Sequence, residues 1–200
     1  MQSSLDFYFF IGSTYSYLSV ARAAKAAADA GIALRWKPFS VRMLMREQNN
    51  SPFIGKPAKL KYMWRDIERR AERLGIPFAG APPYPIDPDE RANHVATLAS
   101  MEGWCEDFVR AAYVTWFLKK LDPGVPENLR VILDDLGRNA KACMTRAENA
   151  PVVDLYKERT DAARAFGIFG SPSYVAGHEV FWGDDRLEDA LAWSSARREA

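Results

Sequence analysis

The pattern of hydrophobic and polar positions changes several times along the 200-residue chain. Residues 5–11, LDFYFFI, are almost wholly apolar and are followed by Gly12, which is typical of a buried strand. Residues 15–30 are rich in alanine and free of Gly and Pro, which predicts a helix that ends at Gly31. The next segment, IALRWKPF, alternates apolar and polar side chains with the period of a strand. The chain is therefore predicted to begin with a β-α-β unit whose strands are parallel and joined by a right-handed crossover.

A long middle block, residues 57–149, has a different pattern. Its apolar positions recur at helical spacing, and its helical segments end at glycine or proline. After this block, the pattern predicts one more helix that ends at Gly167, two β-rich runs around Gly177 that indicate a hairpin, and a final helix.

Without the middle block, the predicted elements follow the order β-α-β-α-β-β-α, which is the order of a thioredoxin fold. We therefore predict an α/β protein with a thioredoxin-like fold that carries a large all-helical insertion. Residues 1–45 and 150–200 are predicted to form a discontinuous thioredoxin-like domain, and residues 46–149 the helical insertion domain.

The composition excludes several classes of partner. The 27 basic and 26 acidic side chains leave a net charge of +1, which gives no general attraction to nucleic acid or to an anionic membrane. No apolar stretch approaches the roughly 20 residues that are needed to span a bilayer. The N-terminal MQSSLDFYFF has no basic residue before its apolar run, so we expect a core strand and a cytoplasmic protein.

The cysteines and histidines are isolated in the sequence. Cys105 and Cys143 have neither a C-x-x-C partner nor metal-ligand spacing, which predicts buried thiols in a reducing compartment. His94 and His178 also lack such spacing, so no metal site is expected.

The chemically informative segment is G-S-T-Y-S at the predicted junction between the first strand and the first helix. Ser13 and Ser16 are three residues apart, where many redox proteins carry Cys-x-x-Cys. One interpretation makes Ser13 an N-cap, because a serine oxygen readily accepts from the first free amides of a helix. Alternatively, the amides and the positive dipole end of the helix stabilise a thiolate that a small molecule supplies, and the Ser13 hydroxyl donates to it. The residues themselves leave both interpretations open.

The segment DFYFFIGSTYSYL resembles the D-F-Y-F-D-x-x-S-P-Y-S-Y-L opening of the 2-hydroxychromene-2-carboxylate isomerases and kappa-class glutathione transferases. These are glutathione-using members of the DsbA-like thioredoxin superfamily. The similarity continues in the family's order, and over nearly the whole chain, through NNSPF, KLKYMWRDIER, LGIPF, FGIFGSPSYVAG and VFWGDDRLEDAL.

The resemblance implies an enzyme that uses glutathione as a cofactor and forms a homodimer. The implied reaction is the cis-trans isomerisation of a small, ring-opened aromatic carboxylate, and the alternative is a kappa-type transfer of glutathione to small electrophiles. A thioredoxin-like module that binds peptides or thiols without chemistry is a third hypothesis. A dithiol oxidoreductase is excluded because residue 13 is not cysteine.

The resemblance also implies roles for individual residues. Ser13 matches the catalytic serine that contacts the glutathione sulfur, and Arg46 and Tyr84 match positions near the substrate. The other positions that match the glutathione site are Asn50, Lys59, Ser171, the expected cis proline Pro172, and the turn formed by Trp182, Gly183, Asp184 and Asp185. Thr14 departs from the family's usual proline, and Asp184 adds a second acid to that turn.

Overall fold

The computed structural model describes residues 3–53 and 55–196. The order of the elements is β1 (Ser4–Phe9), α1 (Ser16–Asp29), β2 (Ala33–Pro38), α2 (Val41–Glu47), α3 (Pro57–Leu74), α4 (Arg91–Glu102), α5 (Cys105–Phe117), α6 (Pro126–Asp135), α7 (Ala140–Ala147), α8 (Ala150–Ala165), β3 (Ser173–Ala176), β4 (Glu179–Trp182), a 3₁₀ turn (Asp184–Arg186) and α9 (Leu187–Ala196). Apart from α2, the order predicted from the hydrophobic pattern is confirmed, and element boundaries differ from it by a few residues.

The four strands form one mixed sheet in the order β2-β1-β3-β4. Strands β1 and β2 are parallel, with Phe7 opposite Trp36, as the β-α-β pattern predicts. Strand β3 is antiparallel to β1 and forms an antiparallel hairpin with β4, where Tyr174 lies opposite Phe181. This topology, with the helical block between β2 and β3, is the predicted thioredoxin-like fold.

Apart from Ser4 and Asp6, the first strand is apolar because both faces of the sheet are covered. Phe7 and Phe9 belong to the main core, which also contains buried residues of α1, α4 and α5. Tyr8 lies on the opposite face and packs in a smaller core with Phe39 and Val175. Full burial of each large side chain contributes roughly 1.5–3 kcal/mol. Strand β1 is therefore held from both sides, and the loop that follows it starts from a rigid support.

Helix α2 is absent from the prediction because seven residues are too few for a clear helical period. The signal that predicts it is Ser40, whose side chain accepts a hydrogen bond from the Met43 amide at 3.2 Å and caps the helix. Helix α2 continues across residue 45, and α8 begins at Ala150. The division of the chain into domains at these two places stays a prediction.

None of the helices within the described ranges combines the length and the apolar character that crossing a bilayer requires.

Candidate active site

The loop after β1 reverses the chain and delivers Ser13 to the start of α1. Its Gly12 has φ +130°, and a Cβ at this position would lie 2.5 Å from the Phe10 ring, so the turn requires glycine. The Ser13 amide donates to the Phe10 carbonyl at 3.0 Å, which closes the turn. The N-cap of α1 is Tyr15, whose side chain makes no capping bond. The interpretation of Ser13 as a helix cap is therefore wrong, and its hydroxyl is free for another role.

The Ser13 side chain is partly buried and faces the loop before β3. Its hydroxyl donates to the carbonyl oxygen of Ser171 at 2.6 Å, and the bond between Ser171 and Pro172 is cis, as expected. The Ser171 hydroxyl accepts from the Phe10 amide at 3.0 Å and lies 2.9 Å from the hydroxyl of Ser16. Both serines of the S-x-x-S segment therefore meet the residue that precedes the cis proline.

Two side chains from the helical block, which the sequence analysis missed, hold the backbone around Ser13. The buried Tyr113 hydroxyl lies 2.9 Å from the Phe10 carbonyl and 3.0 Å from the Ser13 carbonyl, and burial raises its pKa. Asn93 accepts from the Ile11 amide at 2.7 Å and donates to the Ile11 carbonyl at 2.9 Å. The signal for this role was a polar residue, Asn93, on the buried face of α4. A fully buried amide side chain needs hydrogen-bond partners.

The predicted glutathione-binding turn lies beside the cis proline. The Gly183 amide donates to the Pro172 carbonyl at 3.0 Å, and Gly183 has φ +116°, which favours glycine. Trp182 is 53% exposed, and its ring centroid lies 4.7 Å from that of Phe169. The structure thus brings Ser13, Ser171 and the 183–185 turn into one connected region.

The two acids of this turn have opposite surroundings. Asp185 is exposed and accepts from Arg186 at 2.9 Å. Asp184 is 1% exposed and accepts from Arg70 at 2.6 Å and from Arg22 at 3.2 Å. Asp185 therefore faces outward, where a ligand ammonium group can reach it, whereas Asp184 faces the protein.

Of the predicted residues on α3 and before it, Asn50 and Lys59 lie on the surface. The Lys59 ammonium group lies 5.7 Å from the ring centroid of Phe53. One helical turn further along α3, the Met63 sulfur accepts from the Thr14 hydroxyl at 3.0 Å. Helix α3 thus reaches the Ser13 loop through Met63, while no described hydrogen bond links Asn50 or Lys59 to Ser13.

The predicted substrate residues differ in their placement. Tyr84 has edge-to-face contacts with Phe53 and Trp64, at centroid distances of 5.9 and 6.0 Å. Arg46 is exposed on α2. One turn earlier, Arg42 lies over the Phe10 ring at 4.8 Å and donates to backbone carbonyls of residues 86 and 87.

These rings belong to an aromatic cluster that extends from α1 to the loop before α4. We define it as Tyr17, Phe53, Trp64, Tyr84 and Phe117. Phe117 stacks on Tyr17 at a centroid distance of 4.0 Å and meets the edge of Trp64 at 6.2 Å. Trp64 then contacts Tyr84, as described above. The cluster begins at Tyr17, the second residue of α1. Tyr17 and Phe117 are buried, whereas Phe53, Trp64 and Tyr84 are partly exposed and suit contact with a flat, apolar ligand.

The cysteines and ionisable clusters add no second reactive centre to this region. Cys105 and Cys143 are both free and buried, as predicted, and burial raises the pKa of each thiol. Such thiols are poor nucleophiles. In the part of the chain that the structure describes, no group of three or more His, Cys, Asp or Glu side chains is arranged to hold a metal ion.

Comparisons with known proteins agree with this fold. The 2-hydroxychromene-2-carboxylate isomerase of Sphingobium xenophagum is 27% identical over 190 residues, which cover 94% of this chain and 96% of that protein. A solved structure of a 2-hydroxychromene-2-carboxylate isomerase superposes with a TM-score of 0.85, at 25% identity and 98% coverage of both chains. Glutathione S-transferase kappa 1 of Caenorhabditis elegans is 33% identical over 79 residues, which cover 39% of this chain and 35% of that protein. The family model described as a DSBA-like thioredoxin domain matches residues 4–192, and the chain belongs to that family.

Proposed function

We propose that the protein is a glutathione-dependent isomerase that converts the cis form of a ring-opened aromatic carboxylate into the trans form. The observation that carries this proposal is the place of Ser13: its hydroxyl lies before the first turn of α1 and 2.6 Å from the Ser171 carbonyl. The full-length similarity to isomerases of this kind supports the same reaction.

The residues around Ser13 fit a cysteine-containing tripeptide. The Ser171 carbonyl that now accepts the Ser13 hydroxyl is also an acceptor for a peptide amide. When the Ser13 hydroxyl rotates away from this carbonyl, it donates to the ligand sulfur, and the carbonyl accepts from the peptide amide instead. The first turn of α1 offers amide donors and its positive dipole end to an anionic sulfur. The 183–185 turn lies next to this carbonyl, and the exposed Asp185 suits the ammonium group of the γ-glutamyl end. Contacts of Asn50, Lys59, Trp182 and Asp184 with glutathione stay predictions.

Bound glutathione would supply a thiolate that adds transiently to the conjugated system of the substrate, allows rotation about the former double bond, and leaves unchanged. Ser13 lowers the thiol pKa by donating to the anionic form only. A serine suits this role better than a cysteine, because the thiolate of a cysteine at residue 13 would attack oxidised glutathione, release one glutathione thiolate and remain as a mixed disulfide.

The aromatic cluster is the proposed binding site of the substrate ring. Its members Phe53, Trp64 and Tyr84 present ring faces and edges, and Lys59 places a cation beside Phe53. A flat ring with a carboxylate matches this combination. The positions of Arg46 and Tyr84 near the substrate stay predictions. A homodimer and a cytoplasmic location also stay predictions.

A kappa-type glutathione transferase is the second candidate function, because the match to the kappa enzyme of Caenorhabditis elegans supports it. In that reaction glutathione remains attached to the product. Turnover of the substrate without consumption of glutathione therefore distinguishes the isomerase from the transferase. The third hypothesis, a binding module without chemistry, predicts that Ser13→Ala leaves the function intact.

The deciding experiment is a glutathione titration of wild type and Ser13→Ala, by calorimetry and by thiolate absorbance in the ultraviolet. We expect bound glutathione to be ionised at neutral pH in wild type. In Ser13→Ala the thiol pKa rises, and kcat for isomerisation falls roughly 100-fold, as when one positioned donor to an anion is removed. Ser195→Ala on α9 is the matched control, since Ser195 is also partly buried. Wild-type protein that binds no glutathione, or binds it only as the thiol, would refute the proposal.

A further inference from the structure

Asp184 is a buried carboxylate with two arginine partners from distant segments. Its Oδ2 accepts from Arg70 of α3 at 2.6 Å, and its Oδ1 accepts from Arg22 of α1 at 3.2 Å. Ser19 donates to the same Oδ1 at 3.3 Å, and Arg22 also pairs with Glu188. Two positive and two negative charges thus balance within this group. A carboxylate is buried at low cost only when such partners are present.

Arg70 lies beside Asp184 although one of its N–H groups has no hydrogen-bond partner among the described residues. Its side chain is 18% exposed, and its Nε is buried without a hydrogen-bond partner among the described residues. An unpaired buried N–H group is costly. The bond to Asp184 at 2.6 Å compensates for part of this cost, so the position of Arg70 depends on Asp184. The buried Asp184 carboxylate in turn needs the positive charge of Arg70.

The pair connects the helical block to the 183–185 turn. Asp184 follows Gly183, whose amide donates to the Pro172 carbonyl at 3.0 Å. One turn before Arg70 on α3, Asp66 accepts from the Tyr15 hydroxyl at 3.0 Å. Helix α3 is thus attached through Met63 and Asp66 to the segment that follows Ser13, and through Arg70 to the turn beside the cis proline.

From these contacts we propose that Arg70 is a positioning residue for the glutathione-binding turn and acts through Asp184. Neither side chain needs to touch the ligand. Arg70 fixes Asp184, which sets the backbone of the turn and the direction of the Asp185 carboxylate. This inference rests on the proposed use of glutathione. It adds a residue that determines the affinity of the protein for glutathione and that is separate from the thiolate site at Ser13.

The test compares Arg70→Met, Arg70→Lys and Arg73→Met in the full-length protein. Methionine keeps an apolar stem but removes the charge, and lysine keeps the charge without the planar guanidinium group. Arg73 is exposed on the same helix and serves as the matched control. Each variant is titrated with glutathione and with S-methylglutathione, which retains the peptide but has no ionisable thiol.

We expect Arg70→Met to raise the Kd for both ligands roughly tenfold, a usual size for coupling between two sites. The effect of Arg70→Lys should be smaller, and Arg73→Met should bind as wild type does. At saturating glutathione, kcat of Arg70→Met should stay within about twofold of wild type, because the Ser13 contacts remain. Amide hydrogen exchange should accelerate at Gly183 and Arg186, and not in α5.

Two results would overturn the inference while leaving the proposed function intact. In the first, wild type and Arg70→Met bind S-methylglutathione equally. In the second, Arg70→Met speeds exchange in α5 as much as in the turn, which indicates general loss of stability. If wild type binds neither ligand, the proposed function and the inference both fail. Ser13→Ala separates the two further, since it should weaken glutathione binding more than S-methylglutathione binding.

Discussion

Asp87 and Asp184 are each 1% exposed, yet they are stabilised in different ways. Asp184 pairs with the guanidinium groups of Arg22 and Arg70. Asp87 has no such ion pair among the described residues, and it accepts from the amides of Arg91 and Ala92 at 2.8 and 3.1 Å. A second carboxylate, Asp122, accepts from the Asp87 amide at 2.8 Å, and Arg42 donates to the Asp87 backbone carbonyl. Burial, and then the carboxylate of Asp122, raise the pKa of Asp87 to about 6.

The two aspartates support the two segments that meet at Ser13. Asp87 holds the first turn of α4, which presents Asn93 to the backbone of Ile11. Asp184 holds the turn that is bonded to Pro172. Ion pairs hold the turn at Asp184, whereas the support at Asp87 gains a proton as the solution becomes mildly acidic. The two aspartates are equally buried but are accommodated in different ways, because their partners differ.

The largest effect is expected from Asp184→Ala. It leaves two partly buried arginines without their carboxylate, and removal of one partner from a buried ion pair costs about 3 kcal/mol or more. The free energy of unfolding, measured with urea, should fall by this amount. Asp185→Ala is the control, and its effect should remain below about 0.5 kcal/mol because Asp185 is exposed.

A second variant tests whether charge compensation is the cause. Asp184→Leu combined with Arg70→Met replaces the pair by apolar side chains, and we expect it to recover part of the stability lost in Asp184→Ala. If the double variant is no more stable than Asp184→Ala, the unpaired charge of Arg70 is not the main cause of the loss.

The sequence predicted the elements of this region better than their contacts. The almost wholly apolar run LDFYFFI predicts a buried strand, since the pattern of apolar positions indicates which faces are buried. It does not identify partners: Asn93 bonds to Ile11 across 82 positions, and Arg70 to Asp184 across 114. Asp184 and Asp185 are equivalent in sequence as acids at the start of a helix, and only the structure shows that one faces inward. The Ser13 region was predicted through its resemblance to a family, because G-S-T-Y-S alone is equally compatible with a helix cap.

The next effect in size concerns Asp87 and pH. A pKa of about 6 in the folded protein, above the ordinary 3.8, means that the folded state binds this proton more tightly than the unfolded state. The contribution of Asp87 is therefore greatest at low pH and is lost as the pH rises from about 4 through 6, by about 2 kcal/mol. Asp87→Asn should remove this dependence. The measurement is the free energy of unfolding from pH 4 to pH 7 for wild type and variant.

Asp89→Asn is the matched control for this series, because Asp89 is an exposed acid in the same loop. Its curve should run parallel to that of wild type. If the difference between wild type and Asp87→Asn is constant over the whole pH range, the pKa of Asp87 is the same in the folded and unfolded protein, and burial does not raise it.

The smallest effect is expected from Tyr15→Phe, which shows whether the two supports are independent. The variant removes only the bond from the Tyr15 hydroxyl to Asp66, at a cost of about 1 kcal/mol for a partly buried hydrogen bond. Tyr15→Phe and Arg70→Met both release α3, so their combined loss of stability should be smaller than the sum of the single losses. Tyr15→Phe and Asp87→Asn act on different supports, so their losses should add to within about 0.5 kcal/mol. Additivity in the first pair would show that α3 does not link Tyr15 to the turn, whereas coupling in the second pair would show that both aspartates act through one support.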